Sequence, residues 1–243
     1  MSRQFVVLFG RKQSDAAILR RLDAWRQGDD TAGVKIFAAG STPPLRFGSD
    51  DLVRFPPAFL ADVGDTESKL ARLKSDVSRD MDVFAKNPRR LLDRYFNFIE
   101  ARLDAEGATL ERLLQPLGGL FRVEDWAYSA LRPLPNAAVF DAAEVGAPLP
   151  VMHHDLVFWT GQTVLAIRVR GGGTTSSRDA EAGDRLEELG VRIVTIPASN
   201  LASGIDCFPE SDFPPEFRSF WQDAPYPCSP FRPQGLPRSL SLD

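Results

Sequence analysis

Residues 152–201 read MHHDLVFWTGQTVLAIRVRGGGTTSSRDAEAGDRLEELGVRIVTIPASNL, and this stretch decides the fold. Asp155–Trp159 is a short apolar and aromatic run that ends at the turn residues Thr160-Gly161. Thr163–Arg170 follows as a second strand, with residues 166, 168 and 170 on one face and Leu165, Ile167 and Val169 on the other. The glycines at 171–173 break that strand, and helical spacing predicts a helix over about 178–189. Val191–Ile196 then returns as a strand. A hairpin, a crossover helix and a returning strand make a mixed sheet with a helix packed on it.

Upstream, Leu70, Leu73, Val77, Met81 and Phe84 form an apolar stripe on a helix that starts near Thr66. Asn87-Pro88 ends it and opens a second helix, with Asn as cap and Pro at the first position. The second stripe is Leu91, Leu92, Tyr95, Phe96, Ile99 and Leu103, and both stripes read as core. The first forty residues read strand (Phe5–Phe9), helix (cap Ser14 or Asp15; buried face Ile18, Leu22, Trp25) and strand (Val34–Ala38), a β-α-β unit with a parallel pair. Gly10-Arg11-Lys12 lies where an anion could meet the helix start, but the Gly-Lys-Ser/Thr ending of a P-loop is absent, so a plain connection is expected. Four prolines mark residues 40–65 as loop.

The expected class is α/β, a mixed sheet flanked by helices. Its organisation is an N-terminal unit and loop at 1–65, a helical segment and core at 66–207, and a C-terminal arm at 208–243. The arm holds eight prolines and seven aromatics in 36 residues; disordered tails avoid aromatics, so it is expected to lie extended over its own body or a partner.

Composition narrows the function classes. At 243 residues, 43% hydrophobic and 26% charged, the chain is neither collagen-like, coiled-coil nor wholly disordered. No apolar run is long enough for a membrane span, and MSRQFVVLFG reads as a first strand rather than a signal peptide. Two cysteines, Cys207 and Cys228, are too few for a disulfide framework or a zinc cluster, and neither has a nearby His, so the cytoplasm is the expected compartment. The net charge of −4 argues against a protein that coats DNA over its whole surface. Residues 1–50 nevertheless hold eight basic against five acidic side chains. Arginine outnumbers lysine throughout, which suits bidentate phosphate contacts but equally follows from GC-rich codons.

The segment 152–201, with the helix before it, resembles the PD-(D/E)xK nuclease superfamily, especially its very-short-patch-repair-endonuclease branch. In that branch an Asp opens one strand and the next reads roughly I-E-x-D-G-G-x-H, followed by a helix D-x-x-R-x-x-x-L-x-x-x-G and a strand V-x-R-I. Asp155 matches the opening Asp, and Ile167-Arg168-Val169-Arg170-Gly171-Gly172 stands where I-E-x-D-G-G would be. Asp179, Leu186 and Gly190 match the helix pattern, with Ala182 in place of its Arg. Glu100 lies on a helix 55 residues before Asp155, where the superfamily often carries a further Glu. The resemblance spans about 90–201 and implies a restriction-endonuclease-like core there.

Such nucleases hold Mg²⁺ through carboxylates and a strand carbonyl, and the metal activates water. Here the strand Glu is missing: Arg168 or Ala166 stands in its place, depending on the alignment. Glu100, Asp155, Arg168 and Arg170 sum to zero charge, whereas three carboxylates and one Lys sum to about −2 and attract a metal. Three readings are open: the arginines hold an old site shut, they contact phosphate without cleavage, or Asp179 or Glu181 replaces the lost carboxylate and Mg²⁺ binds with Asp155 and Glu100. His153 shares the face of Asp155 and is a base, ligand or filler; His154 takes the other face. The glycine-rich loop 171–175 is either a phosphate cradle or only a turn. The expected function is a non-catalytic nuclease-fold subunit without cofactor that binds a protein or a nucleic acid. The alternatives are an active metal-dependent DNA endonuclease and an interaction module using the arm.

Overall fold

The computed structural model of the chain describes residues 4–10, 33–38, 45–47, 66–81, 86–119, 121–141, 152–171 and 177–202. Seven strands among them form one mixed sheet: β1 (Gln4–Phe9), β2 (Gly33–Ala38), β3 (Leu45–Phe47), β4 (Leu134–Asp141), β5 (His153–Trp159), β6 (Val164–Arg170) and β7 (Arg192–Pro197). The helices are α1 (Thr66–Arg79), α2 (Lys86–Leu114), α3 (Ser177–Glu188) and α4 (Ala198–Ala202). Short 3-10 segments run over Gln115–Leu117 and Val123–Ser129.

The strand order is β3-β2-β1-β4-β5-β6-β7. β1 and β2 are parallel, as the β-α-β reading requires, and β6 and β7 are parallel across the α3 crossover. The pairs β1–β4, β4–β5 and β5–β6 are antiparallel. The N-terminal strands therefore belong to the same sheet as the rest, joined through Phe5↔Asp141 to Leu8↔Ala138.

Two apolar layers enclose the sheet. On one side the stripe of α2 (Tyr95, Phe96, Ile99, Leu103) and the α1 residues Leu70, Leu73 and Val77 meet Leu156 and Phe158 of β5 and Leu165 and Ile167 of β6. Tyr95 lies 5.1 Å from the Phe158 ring, and its hydroxyl donates to the Leu131 carbonyl at 2.6 Å. Burial pushes that phenol far above its ordinary range, so it stays a neutral donor. On the other side Ala182 and Leu186 of α3 cover Val157, Trp159, Val164 and Ala166. Phe5, Val7 and Phe9 of β1 extend this second layer.

The helices differ from expectation at their ends. α1 stops at Arg79, where Asp80 and Met81 form a turn whose N–H groups reach Val77 and Ser78. Met81 is still buried, because a turn carries it onto the same face. α2 starts at Lys86, so Asn87 lies inside the helix instead of capping it, and the helix runs on through Gly107 to Leu110 and Leu114. α3 ends in a Schellman arrangement: Gly190 at φ 90 donates to Glu187 at 2.9 Å and Val191 donates to Leu186 at 2.9 Å.

β4 was not legible in the sequence. Leu134, Ala137 and Val139 sit in one layer, which breaks strict alternation, and Asn136 between them adopts φ 49. Among the described residues no helix is long and apolar enough to cross a membrane. The helix expected between Ser14 and Trp25, residues 11–12, most of the proline-rich loop, Phe84, Gly172–Thr175, both cysteines and the C-terminal arm lie outside the described residues.

Candidate functional site

β5 runs between β4 and β6, so its side chains are flanked on both sides. The β5–β6 register runs from Trp159↔Val164 to Leu156↔Ile167. At the next step the carboxylate of Asp155 enters the ladder, and Val169 N–H donates to its Oδ2 at 2.5 Å. The backbone pairing ends at Leu156↔Ile167, with Asp155 and Arg168 next along the two strands. Asp155 is half-buried, and loss of hydration pushes its carboxyl above the usual carboxylate range. The Val169 N–H and the Arg168 charge oppose that shift.

His154 is 1% exposed, and neither ring nitrogen has a partner among the described residues. Burial first, then the charges of Arg168 and His153, lower its pKa to about 4. Near neutral pH it is an uncharged imidazole. His153, one position earlier, is half-buried.

Exposure rises along β6 in one direction: residues 164–167 are buried, Arg168 and Val169 half-buried and Arg170 exposed. The two arginines thus mark the point where the α3 layer gives way to solvent. Because α3 is the crossover between parallel strands, its N-terminus lies at the same end of the sheet as the C-terminus of β6. The partial positive charge of that helix end adds to the two cations there.

The structure brings together Asp155 and Arg168, with His153 and His154 beside them. It does not bring Glu100 to them. Glu100 is exposed on α2, the helix that covers the Leu156 and Ile167 face, whereas alternation sets Asp155 and Arg168 on the α3 face with Val157 and Ala166. Nor does Glu100 appear among the charges that perturb Asp155. Arg170 stands at the exposed end of the same strand. Glu181 is exposed on α3, Asp179 stands in its first turn, and no group of three His, Cys, Asp or Glu side chains converges to hold a metal among the described residues. Without Glu100 the local sum of Asp155, Arg168 and Arg170 is +1 rather than zero.

One neighbour of the site was not read from the sequence. Asn136 on β4 lies between Pro135, which faces Leu156, and Ala137, which faces His154, so its register position is beside Asp155. It is the one non-glycine residue with positive φ among the described residues. Asn tolerates the left-handed region, and Pro-Asn inside an apolar run was the available signal. Compared with protein-family models, curated proteins and solved structures, the chain matches none.

Proposed function

We propose that this chain is a nuclease-fold subunit that binds nucleic acid at the Asp155–Arg168 end of the sheet without cutting it. Support for the fold comes from the order β5, β6, α3, β7: a hairpin whose first strand carries the Asp, a crossover helix and a parallel return strand. The same order belongs to the nucleases that the sequence resembles. The observation that carries the functional reading is Arg168. It stands one residue past the last paired position of β6, its charge acts on the Asp155 carboxyl, and in one of the two alignments it replaces the metal-binding carboxylate of those nucleases.

A guanidinium there does two things. It offsets the Asp155 charge, and it presents a donor fork for phosphate oxygens at the edge of solvent. Arg170 and the start of α3 extend the positive field along the same end. A phosphodiester approaching this end meets the two arginines and the start of α3, with Asp155, Asp179 and Glu181 as the opposing charges.

The test combines binding with cleavage. A labelled oligonucleotide should bind at low salt, and Arg170→Ala should weaken it while reducing the slope of log affinity against log salt by about 0.7–0.9, one phosphate contact. Incubation with Mg²⁺ or Mn²⁺ should leave plasmid and single-stranded DNA intact. Cleavage that Asp155→Ala abolishes would make the chain an endonuclease. Absence of oligonucleotide binding at low salt would turn the search to a protein partner.

A further inference from the structure

Seven side-chain nitrogen atoms among the described residues are sealed from solvent without a hydrogen-bond partner. One of them, Asn136 Nδ2, belongs to the residue at the β4 register position beside Asp155, whereas the two ring nitrogens of His154 lie by alternation on the other face of β5. An orphaned polar atom is expensive, so Asn136 Nδ2 calls for a reason. The backbone there is also unusual: Asn136 holds φ 49 inside a strand, and strained residues gather at ligand sites. The β4–β5 ladder pairs residues on both sides of the Asn136–Asp155 position.

We propose that Asn136 is a third ligand-contacting residue of this site, donating its side-chain amide to a phosphodiester oxygen whose charge is met by Arg168. The inference rests on the nucleic-acid reading above and names the donor set for it. Asn136 is half-buried, so the residue borders solvent even though its amide nitrogen is turned in. No described hydrogen bond holds its Nδ2 where it is. Turning it to a ligand breaks no hydrogen bond and relieves an unsatisfied donor, so the gain on binding is not offset by a lost contact. The Asn amide and the Arg168 guanidinium only donate to an oxyanion, and the neutral His154 adds no charge that opposes one. Asp155 is restrained as a competitor for these donors, because one of its oxygens is already occupied by Val169 N–H.

The variant that separates ligand contact from folding is Asn136→Gly. Glycine adopts φ 49 without strain, so the melting temperature should stay level or rise, while oligonucleotide affinity measured by fluorescence anisotropy at low salt should fall about tenfold. Asn136→Asp keeps the shape and adds a negative charge, and its affinity should fall further. Wild-type binding with Asn136→Gly binding equally well would overturn this inference and leave the parent reading standing. A wild-type protein that does not bind would overturn both. An Asn136→Gly protein that loses binding only together with its melting temperature would show that Asn136 has a structural role instead.

Discussion

His154 places an imidazole inside the sheet, where it can accept a proton only at a cost. Its folded pKa of about 4 lies below the ordinary 6.5, so between those values the unfolded chain binds the proton and the folded chain does not. Stability is therefore full above pH 6.5 and falls as pH drops, by about 3 kcal/mol when pH 4 is reached. Asp155 works in the opposite sense, because its raised carboxyl pKa favours the folded state on protonation. Arg168 and His153 are the charges that enter the His154 balance. Denaturant unfolding at pH 7, 6 and 5 should show a falling midpoint, and His154→Leu should flatten the curve between pH 6.5 and 4.5. An unchanged slope in that variant would mean that another group carries the dependence. At this scale the sequence exposed Asp155 and its opposing arginine, because strand parity is enough to set them on one face. Placing Glu100 took knowledge of which sheet face α2 covers, and one sequence does not contain that.

Between elements, one acidic side chain fastens two pieces of the helical layer. Asp125 Oδ1 accepts from Lys69 Nζ at 2.6 Å, and its Oδ2 accepts from Arg122 N–H at 2.7 Å. The first contact ties α1 to the 3-10 segment, and the second closes the segment's own first turn. Lys69 is 8% exposed, so the ammonium has little water to fall back on. Asp125→Ala should cost about 3 kcal/mol, read as a lower denaturant midpoint, because it leaves that charge buried and unpaired. Lys69→Met with Asp125→Ala should recover much of the loss, since an apolar side chain then fills the space. The exposed pair Arg185–Glu188 offers a contrast: its removal should be close to neutral. Elements with clean periodicity, such as the α2 stripe and the β5–β6 hairpin, were legible from spacing alone. β4 was not, since Pro135 and Asn136 interrupt its run and its inward residues do not alternate. The continuation of α2 past Leu103 was hidden by the polar and small residues leading to Gly107.

Across the whole molecule, the mixed sheet and its flanking helices follow from local pattern, but the strand order does not. Adjacent strands β4, β5, β6 and β7 are neighbours in sequence, which spacing can suggest. The seam between β1 and β4 joins Phe5 to Asp141, partners 136 positions apart, and no local signal announces it. That seam has a kinetic consequence. During synthesis β1 and β2 leave the ribosome long before β4 exists, so the apolar strand Phe5–Phe9 waits with one edge unpaired. Closing so long a loop carries an entropic cost before any pairing rewards it, which slows folding. A chain stopped before Leu134 should accumulate in inclusion bodies, whereas the full chain, or the fragment supplied with residues 134–202 in trans, should remain in the supernatant. Ribosome-bound chains probed by limited proteolysis should gain protection of the N-terminal strands only after β4 has emerged. β1 is thus left with one edge open until Leu134–Asp141 has been made, and that edge needs shielding in the interval.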